Sequence, residues 1–287
     1  MTTSNPSRAV LITGCSSGIG EATAAHLAGN GWTVYATARR PETLSGLEAK
    51  GCKPLALDVV DEASRKAAVE TVVEAEGAVG VLINNAGWSQ SGAVESIPDE
   101  RVRAQFETNV FGPLALTRLV LPGMRAQGWG KVVNISSMGG EFTFPGGGLY
   151  HATKYAIESL SDALRFEVKH FGIDVILIQP GLITSGFSEV TAREIDAGAT
   201  SDGPYSEFNK AVADASLGAY KKGPLSKLAG PPSAVAEVIG KALADKRPKA
   251  RYKVTASAKV LMGLNSVLPD AAWDKVLESS FPRPGKG

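Results

Sequence analysis

Cysteine and histidine are scarce in this sequence. Its two cysteines, Cys15 and Cys52, allow one disulfide at most, and neither lies in a CxxC or metal-ligand spacing. The three histidines, His26, His151 and His170, have no second histidine or carboxylate at a spacing typical of zinc sites. The sequence therefore predicts no metal site, and the two thiols are interpreted as small buried side chains in a reducing compartment.

The sequence also has little excess charge and no long apolar run. Its net charge is +1, with acidic and basic residues mixed along the chain, so no nucleic-acid partner or charged membrane surface is indicated. The apolar stretch at residues 260–268 is too short and too interrupted to span a bilayer. The first residues contain no apolar core of a signal peptide, so we expect a cytoplasmic protein.

Short β-rich runs alternate with longer segments of helical periodicity. This alternation predicts an α/β fold, a Rossmann-like doubly wound parallel sheet of about seven strands with helices on both faces. Because both faces of such a sheet are covered, its strands are nearly continuous apolar runs. Six buried strands and a seventh at the end of the sheet are predicted at Ala9–Ile12, Thr33–Thr37, Pro54–Leu57, Val79–Ile83, Val132–Ile135, Val175–Ile178 and Tyr252–Thr255.

The helical segments complete this pattern. They are predicted at Glu21–Ala28, Ala63–Ala75, Val102–Met124 with an interruption at Gly112-Pro113, Tyr150–His170, Ser233–Asp245 and Ala271–Leu277. The composition changes after Pro180-Gly181, where a stretch rich in Gly, Ser, Ala and Thr begins. We therefore predict one domain in three parts: a core for dinucleotide binding and catalysis at residues 1–184, a substrate-binding lid at 185–231 and a C-terminal completion at 232–287.

The first predicted strand runs directly into the segment Thr13–Gly20, TGCSSGIG, and a predicted helix follows at once. Glycines let the chain turn tightly, and the helix N-terminus favours negative charge, so this context predicts a pyrophosphate-binding loop. An ordinary glycine-rich turn is the alternative. The expected cofactor contacts are Gly14, Ser16, Ser17, Gly18, Ile19 and Gly20.

The glycine spacing of this loop is TGxxxGxG, which differs from the common GxGxxG fingerprint. In this spacing, and in the motifs that follow as far as Thr184, the sequence resembles the classical short-chain dehydrogenase/reductase family. The resemblance implies an NAD(P)-dependent enzyme that interconverts a carbonyl and an alcohol.

The second predicted strand decides between NADP and NAD. An acid at its end binds the adenosine ribose and selects NAD, but here Ala38 occupies the matching position and Arg39 follows it. A guanidinium binds a 2′-phosphate through paired hydrogen bonds, so NADP(H) is favoured over NAD(H). Alternatively Arg39 and Arg40 are solvated loop charges, which leaves the preference open. By resemblance, Asp58 and Val59 line the adenine pocket.

Tyr150 and Lys154 lie one turn apart on a predicted helix and share a face. A nearby ammonium lowers the pKa of a phenol, which suits Tyr150 for proton transfer. A lone YxxxK occurs by chance, but Ser137 stands thirteen residues earlier at the end of the fifth predicted strand, where ligands of such sheets bind. The family's spacing selects Ser137 over Ser136 as the residue that holds the substrate oxygen.

The resemblance assigns further roles. Asn109 is expected to hold a water that extends the proton relay from Lys154, and its alternative role is an amide that bonds a freed carbonyl. Asn85, Ala86 and Gly87 are expected beside the cofactor in a mainly structural role. The segment after the sixth strand is expected to close over the nicotinamide, with contacts from Pro180, Gly181, Ile183 and Thr184. Trp88 is equally consistent with substrate contact and with packing.

The predicted function is that of an NADP(H)-dependent oxidoreductase, with Asn109, Ser137, Tyr150 and Lys154 as its catalytic set. The alternative is a non-catalytic NADP(H)-binding sensor or scaffold, which would usually lack Tyr150 or Lys154. An extended-type epimerase or dehydratase is disfavoured by the glycine spacing. Segments 34–40 and 109–113 resemble the hydroxysteroid and retinol dehydrogenase branch, which suggests a bulky apolar substrate. A homodimer or homotetramer is also expected.

Overall fold

A computed structural model describes residues 5–185, 203–221, 226–278, 281, 283 and 284. Within these residues seven parallel strands form one sheet, in the order β3-β2-β1-β4-β5-β6-β7. The strands are β1 Val10–Ile12, β2 Val34–Ala38, β3 Lys53–Ala56, β4 Val81–Asn84, β5 Gly130–Ile135, β6 Ile173–Pro180 and β7 Arg251–Val254. The predicted Rossmann-like sheet is confirmed, and the order reverses between β1 and β4, where such folds bind their ligands.

The two faces of the sheet bury separate apolar clusters, because successive side chains of a strand point to opposite faces. On one face Val10 and Ile12 of β1 pack with Leu27 of the first helix and Ile239 of a later helix. On the other face Leu11 packs with Leu82 and other buried residues. Coverage of both faces explains why the central strands are continuous apolar runs.

The third strand corrects one prediction. Residues 54–57 were expected to form a buried strand, but β3 lies at the edge of the sheet, where Lys53 and Ala56 are exposed and Pro54 and Leu55 are half-buried. Leu57, the residue after the strand, is buried. Proline lacks a backbone N–H, and an edge strand tolerates it because one side of the strand needs no partner.

The helices surround the sheet. Within the described residues they are α1 Gly18–Gly29, α2 Ser45–Glu48, α3 Glu62–Glu76, α4 Asp99–Phe106, α5 Gly112–Ala126, α6 Gly148–Val168, α7 Ser206–Lys221, α8 Pro232–Ala244, α9 Ala256–Val267 and α10 Asp270–Glu278. An acidic residue caps the start of α3, since the Asp61 carboxylate accepts a hydrogen bond of 2.6 Å from the Ser64 amide.

The predicted interruption at Gly112-Pro113 is wrong in position. The chain stays helical through α4 and α5, and the irregular part is a π-helical turn at Glu107–Phe111. The Gly112 amide donates to the Glu107 carbonyl, five residues back. Pro113 has no amide to donate to the carbonyl four residues earlier, so the wide turn is accommodated just before it.

The predicted lid is described only in part. Residues 186–202 and 222–225 lie outside the described residues, whereas α7 lies inside. Phe208 and Val212 of α7 pack against Ala93, and the Asn209 side chain accepts a hydrogen bond of 2.8 Å from the Ala93 amide. The division into core, lid and C-terminal completion stays a prediction.

Candidate active site

The predicted site residues converge on one edge of the sheet. Arg39 follows β2, Asp58 comes shortly after β3, Asn85 follows β4, Ser137 follows β5 within two residues, and Pro180 ends β6. Because all strands are parallel, their carboxyl ends share this edge. The fold therefore brings together segments that lie far apart in the sequence.

The glycine-rich loop joins β1 to α1 at this edge. Gly14 and Gly18 have positive φ angles of 70° and 63°, which favour glycine. A Cβ atom on Gly20 would collide with the Gly14 carbonyl and the Asn85 side chain. The side chain of Ser17, the N-cap residue of α1, makes no capping hydrogen bond. The result is a tight backbone cradle at a helix N-terminus that favours an anion.

Asn85 fastens this loop to the end of β4. Its side-chain amide donates to the carbonyls of Thr13 and Gly14 at 2.8 and 3.0 Å. In return the Thr13 hydroxyl accepts from the amides of Asn85 and Ala86, both at 2.9 Å. These bonds fix the shape of the loop, and Ala86 leaves no room for a side chain at Gly14.

The residues expected to contact the adenosine half of the cofactor follow β2 and β3. Arg39 and Arg40 are both exposed. Asp58 is half-buried, and its carboxylate accepts a hydrogen bond of 3.1 Å from the Val60 amide. Val59 is buried, and its carbonyl accepts from the Arg65 guanidinium at 2.7 Å. Exposed cations thus follow β2, and a hydrogen-bonded turn follows β3.

Lys154 and Tyr150 lie on the first two turns of α6. Lys154 is buried, its Nζ donates to the Ile135 carbonyl at 2.7 Å, and that Nζ lies 5.5 Å from the centre of the Tyr150 ring. Burial lowers the pKa of Lys154 to about 8, and the negative charge of Glu158 opposes that shift. The ammonium therefore lies close to the phenol, as the helical spacing predicts.

The two serines at the end of β5 occupy different surroundings. Ser137 is half-buried, and its Oγ accepts a hydrogen bond of 3.1 Å from the Gly139 amide at the start of a 3₁₀ turn, Met138–Gly140. Ser136 is buried, and its hydroxyl lies close to Gly140 and Glu158. The two hydroxyls therefore have different neighbours, and Ser137 is the more accessible residue.

Asn109 lies in the π-helical turn and is buried. Its amide nitrogen donates to the Trp88 carbonyl at 2.9 Å and to the Thr153 hydroxyl at 3.1 Å, and its oxygen accepts from the Trp88 amide at 3.1 Å. The side chain thus ties the loop after β4 to α6, next to Lys154. The predicted water-mediated link from Asn109 to Lys154 stays a prediction.

Trp88 itself has a packing partner. The guanidinium of Arg101 lies 4.7 Å from the centre of its ring, a cation–π arrangement. The Trp88 carbonyl also accepts from the Gln105 side chain at 3.2 Å. These contacts favour a packing role for the indole, which the sequence leaves open.

The segment after β6 is held by the backbone near residue 230. Ile183 pairs with Gly230 in an isolated parallel bridge, and the Thr184 amide donates to the Gly230 carbonyl at 2.9 Å. The Thr184 hydroxyl also donates to that carbonyl, at 3.3 Å, and its side chain is exposed. Gly181 leaves no space for a Cβ beside Thr255 and Ser257. The segment is thus placed at the same edge as the glycine loop.

An apolar cluster stands beside Ser137. It joins Met138 and Phe142, which follow β5, to Leu261 and Met262 of α9 and Trp273 of α10. The rings of Phe142 and Trp273 pack edge to face, with centroids 5.3 Å apart. The apolar C-terminal stretch therefore packs with one face against its own subunit, near the candidate site.

This arrangement matches a known family. The family model for the short chain dehydrogenase matches residues 8–195. The chain belongs to the classical short-chain dehydrogenase/reductase family. It is an oxidoreductase of that family.

Relatives of this short-chain dehydrogenase/reductase match either nearly its whole length or about two thirds of it. A protein from Escherichia coli K12 named "Uncharacterized oxidoreductase YbbO" is 34% identical over 273 residues, which cover 94% of each chain. The "3-ketodihydrosphingosine reductase" of Bacteroides thetaiotaomicron is 43% identical over 180 residues, covering 63% of this chain and 65% of that one.

Solved structures agree with the fold. A short-chain dehydrogenase from Streptomyces avermitilis is 35% identical, with a TM-score of 0.78 over 95% of this chain and 98% of that one. A serine dehydrogenase complexed with NADP+ is 26% identical, with a TM-score of 0.74 over 86% and 94% of the two chains. A family member from Burkholderia phymatum in complex with NAD is 23% identical, with a TM-score of 0.78 over 94% and 95%. Structural neighbours in the family therefore hold either NADP or NAD.

Sequence reasoning missed two features of this short-chain dehydrogenase/reductase site. The first is His151, whose buried ring accepts a hydrogen bond of 3.1 Å from the Phe144 amide at Nδ1 and packs against Gly139 and Gly147. Burial lowers the pKa of His151 to about 4, so the ring is neutral at ordinary pH. The second is a buried polar cluster around Glu158 and Gln179. A glutamine inside the apolar strand IDVILIQP was the signal for it.

Among the described residues, no three or more His, Cys, Asp and Glu side chains are grouped in a way that could hold a metal ion. In the same part of the chain, every helix is too short or too polar to cross a membrane. Cys15 and Cys52 are free and buried. Burial raises the pKa of Cys15 to about 12, so this thiol of the glycine-rich loop is protonated and unreactive at neutral pH.

Proposed function

We propose that this protein is an NADP(H)-dependent oxidoreductase that interconverts a ketone or aldehyde and an alcohol. The observation that carries the proposal is the buried Lys154 ammonium, 5.5 Å from the centre of the Tyr150 ring, at the sheet edge where Ser137 lies. A buried charge beside a phenol is unfavourable for stability alone. It is expected where a tyrosine must give and take a proton near neutral pH.

Each of the four residues has a role in this proposal. Tyr150 donates its proton to the substrate oxygen during reduction and accepts one during alcohol oxidation. Ser137 donates a hydrogen bond to the same oxygen and orients it, because its Oγ already accepts from the Gly139 amide. Lys154 stabilises the phenolate of Tyr150 and anchors the cofactor ribose. Asn109 connects Lys154 to solvent through a water.

The backbone cradle of the glycine loop fits a dinucleotide. Gly14, Gly18 and Gly20 admit no larger residue without strain or collision, and the N-terminus of α1 favours the pyrophosphate. When bound, the nicotinamide supplies or accepts the hydride. Arg39 would pair with the 2′-phosphate of NADP(H), while Asp58 and Val59 line the adenine pocket.

The remaining cofactor contacts come from neighbouring loops. Asn85, Ala86 and Gly87 would support the nicotinamide half from the end of β4, and the Pro180–Thr184 segment would cover it. The Thr184 hydroxyl donates a hydrogen bond to the Gly230 carbonyl in the structure. To contact the cofactor, the side chain of this exposed residue would have to rotate.

The substrate is proposed to be a bulky apolar carbonyl compound. The apolar cluster formed by Met138, Phe142, Leu261 and their neighbours stands next to Ser137 and would shield such a molecule from water. The reductase from Bacteroides thetaiotaomicron supports this choice, since its name describes the reduction of a 3-keto sphingoid base. The hydroxysteroid and retinol branch remains a second source of candidate substrates.

A non-catalytic NADP(H) sensor on the same fold is the alternative. It would retain the glycine cradle but would not require Tyr150, Lys154 and Ser137 at one edge. We further propose a cytoplasmic location and a homo-oligomer. Exposed aromatic side chains support the latter, because Phe111 at the end of the π-helical turn and Phe166 on α6 are 50% and 85% exposed.

A reductase screen tests the proposal. NADPH consumption is measured with long-chain β-keto compounds, steroid ketones, retinoids and small ketones. The variant Tyr150→Phe should bind cofactor and melt like the wild type while turnover falls by about 10²- to 10⁴-fold, the usual effect of losing a positioned acid–base group. Tyr155→Phe, on an exposed position of the same helix, is the control. Wild-type turnover in Tyr150→Phe would favour the sensor.

A further inference from the structure

A second buried charge accompanies Lys154. Glu158 lies one helical turn further along α6, on the same face, and the residue is 7% exposed, the same fraction as Lys154. The hydrogen bond of Lys154 goes to the Ile135 carbonyl, which carries no net charge. A buried ammonium is unfavourable unless an anion compensates it, and Glu158 is placed to do so.

Glu158 is held from two strands. One carboxylate oxygen accepts from the Gln179 amide on β6 at 3.0 Å, and the other accepts from Arg251 Nε on β7 at 2.9 Å. Arg251 is held in turn, because its Nη2 donates to Asp162 at 2.7 Å. The carboxylate therefore has one position, fixed by groups outside its own helix.

Glu158 also contacts the turn that begins at Ser137. A Cβ atom on Gly140, the last residue of that turn, would lie 2.9 Å from Glu158 Cγ and 2.9 Å from Ser136 Oγ. The turn thus packs directly on the Glu158 side chain. Glu158 therefore contacts the segment that carries Ser137 and also lies one helical turn from Lys154.

We propose that Glu158 is a positioning residue for the reaction: fixed by Gln179 and Arg251, it supplies the counter-charge for the Lys154 ammonium and supports the Ser137 turn. This inference rests on the proposed function and adds a residue to it. Glu158 acts through Lys154 and Ser137 and does not touch the substrate.

The surrounding charges show what its loss would do. Among the described residues, hydrogen bonds join Glu158 to Arg251 on β7 and, through Arg251 and Gln179, to Asp162 on α6 and Glu141 after β5, which in turn binds Lys253. Glu158 is the charge of this group that acts on Lys154, and Tyr150 is the neighbouring titratable group. Asn109 and Gln179 face the region as neutral amides. When Lys154 is counted, three acids balance three bases. Removing the Glu158 charge therefore leaves one cation in excess beside the buried Lys154 ammonium. The pKa of Lys154, already lowered by burial, then falls further.

The test compares Glu158→Gln with two matched variants. Glu158→Asp keeps the charge, and Asp162→Asn removes the other partner of Arg251 on the same helix. The kcat/KM for carbonyl reduction is measured against pH, where the alkaline decline reports loss of a proton from the Lys154–Tyr150 pair. Glu158→Gln should move that decline to lower pH by about one unit, the low end of the shift that a nearby opposite charge produces. Glu158→Asp and Asp162→Asn should stay near the wild-type position.

A second measurement needs no substrate. The Cε resonance of ¹³C-labelled Lys154, identified by its absence in Lys154→Met, is titrated in the wild type and in the three variants. A lower midpoint in Glu158→Gln alone supports the inference, and equal midpoints in all folded variants overturn it. If Tyr150→Phe keeps wild-type turnover, the proposed function fails while this titration still decides the role of Glu158. If Glu158→Gln does not fold, Glu158→Asp decides. A wild-type Lys154 titration midpoint and a wild-type alkaline decline of kcat/KM in Glu158→Asp support a charge role. A shift in Glu158→Asp as large as that expected for Glu158→Gln overturns it.

Discussion

The proposed preference for NADP(H) rests on Arg39. This residue is exposed at the end of β2, where its guanidinium is accessible to a ligand. We expect wild-type protein to bind NADPH more tightly than NADH. Arg39→Asp should weaken NADPH binding by about 10- to 100-fold, the value of a charge-assisted hydrogen bond to phosphate, and should favour NADH. Fluorescence titration with both cofactors measures this.

Arg40 provides the control for this prediction, since it is also exposed and differs only in position. Arg40→Asp makes the same change in net charge and should have a smaller effect. Equal effects of the two substitutions on NADPH affinity would mean that the net positive charge of this loop attracts the 2′-phosphate, and that Arg39 forms no specific ion pair with it. An NADH preference in the wild type would remove the assignment.

The buried histidine gives the stability of the site a pH dependence. The pKa of His151 is about 4 in the folded protein and about 6.5 when unfolded, so between these values only the unfolded chain takes up the proton. Stability is therefore lost as pH falls from about 6.5 to about 4, by roughly 3 kcal/mol at most from this group. His151→Asn keeps an acceptor near the Phe144 amide but cannot titrate.

Urea unfolding of the wild type and His151→Asn at several pH values between 7 and 4 tests this. The variant should be less stable at pH 7, because it is smaller, but should lose less stability on acidification. Carboxylates contribute equally to both proteins and cancel in the comparison. His170→Asn, at an exposed position after α6, should retain the wild-type slope. Parallel slopes for His151→Asn and the wild type would contradict the prediction.

At the scale of elements, the sequence predicted those strands and helices whose positions depend on a local residue pattern. Strands β1, β4 and β5 are located within two residues because their apolar runs are continuous, and α3 because Asp61 caps it. The exposure of β3 was not predictable, since its edge position follows from the strand order of the whole sheet. The π-helical turn at Glu107–Phe111 has no distinct residue pattern and depends on the missing amide of Pro113.

The same distinction applies to the site. Tyr150 and Lys154 are neighbours on one helix, so their spacing alone predicts their proximity. The hydrogen bonds of Asn109 to Trp88 and Thr153 join three elements, and local spacing gives no sign of them. The cluster of Glu141, Glu158, Gln179 and Arg251 is more remote still, because it unites residues up to 110 positions apart.

At the scale of the whole molecule, the carboxyl ends and the amino ends of the parallel strands have different roles. The carboxyl edge holds every candidate site residue. At the amino edge, buried Lys131 at the start of β5 donates to the carbonyls of Asp245 and Ala242 at 2.7 and 3.3 Å, where α8 ends. A cation at a helix C-terminus is favourable, so this contact fastens α8 to the sheet without taking part in the reaction.

The proposed oligomer is also a property of the whole molecule. Phe166 on α6 is 85% exposed, and Tyr155, three turns earlier on the same side, is 44% exposed. Phe171, after α6, packs under Arg125 of α5 at 5.6 Å, which joins the two helices into one surface. An apolar surface of this kind is typical of an interface, and in the proposed oligomer a second copy would bury it.

Phe166→Glu should therefore weaken self-association. Loss of a buried phenylalanine side chain on each partner raises the dissociation constant by about tenfold or more, and a buried carboxylate adds to the effect. Sedimentation velocity over a range of micromolar concentrations measures the change. Val267→Glu is the control, because Val267 is 75% exposed on the outer side of α9, the other apolar surface near the site. If only Val267→Glu dissociates the protein, the interface is formed by the C-terminal helices. If the wild type sediments as a monomer throughout, the chain has no stable partner of its own kind, and exposed Phe166 needs another explanation.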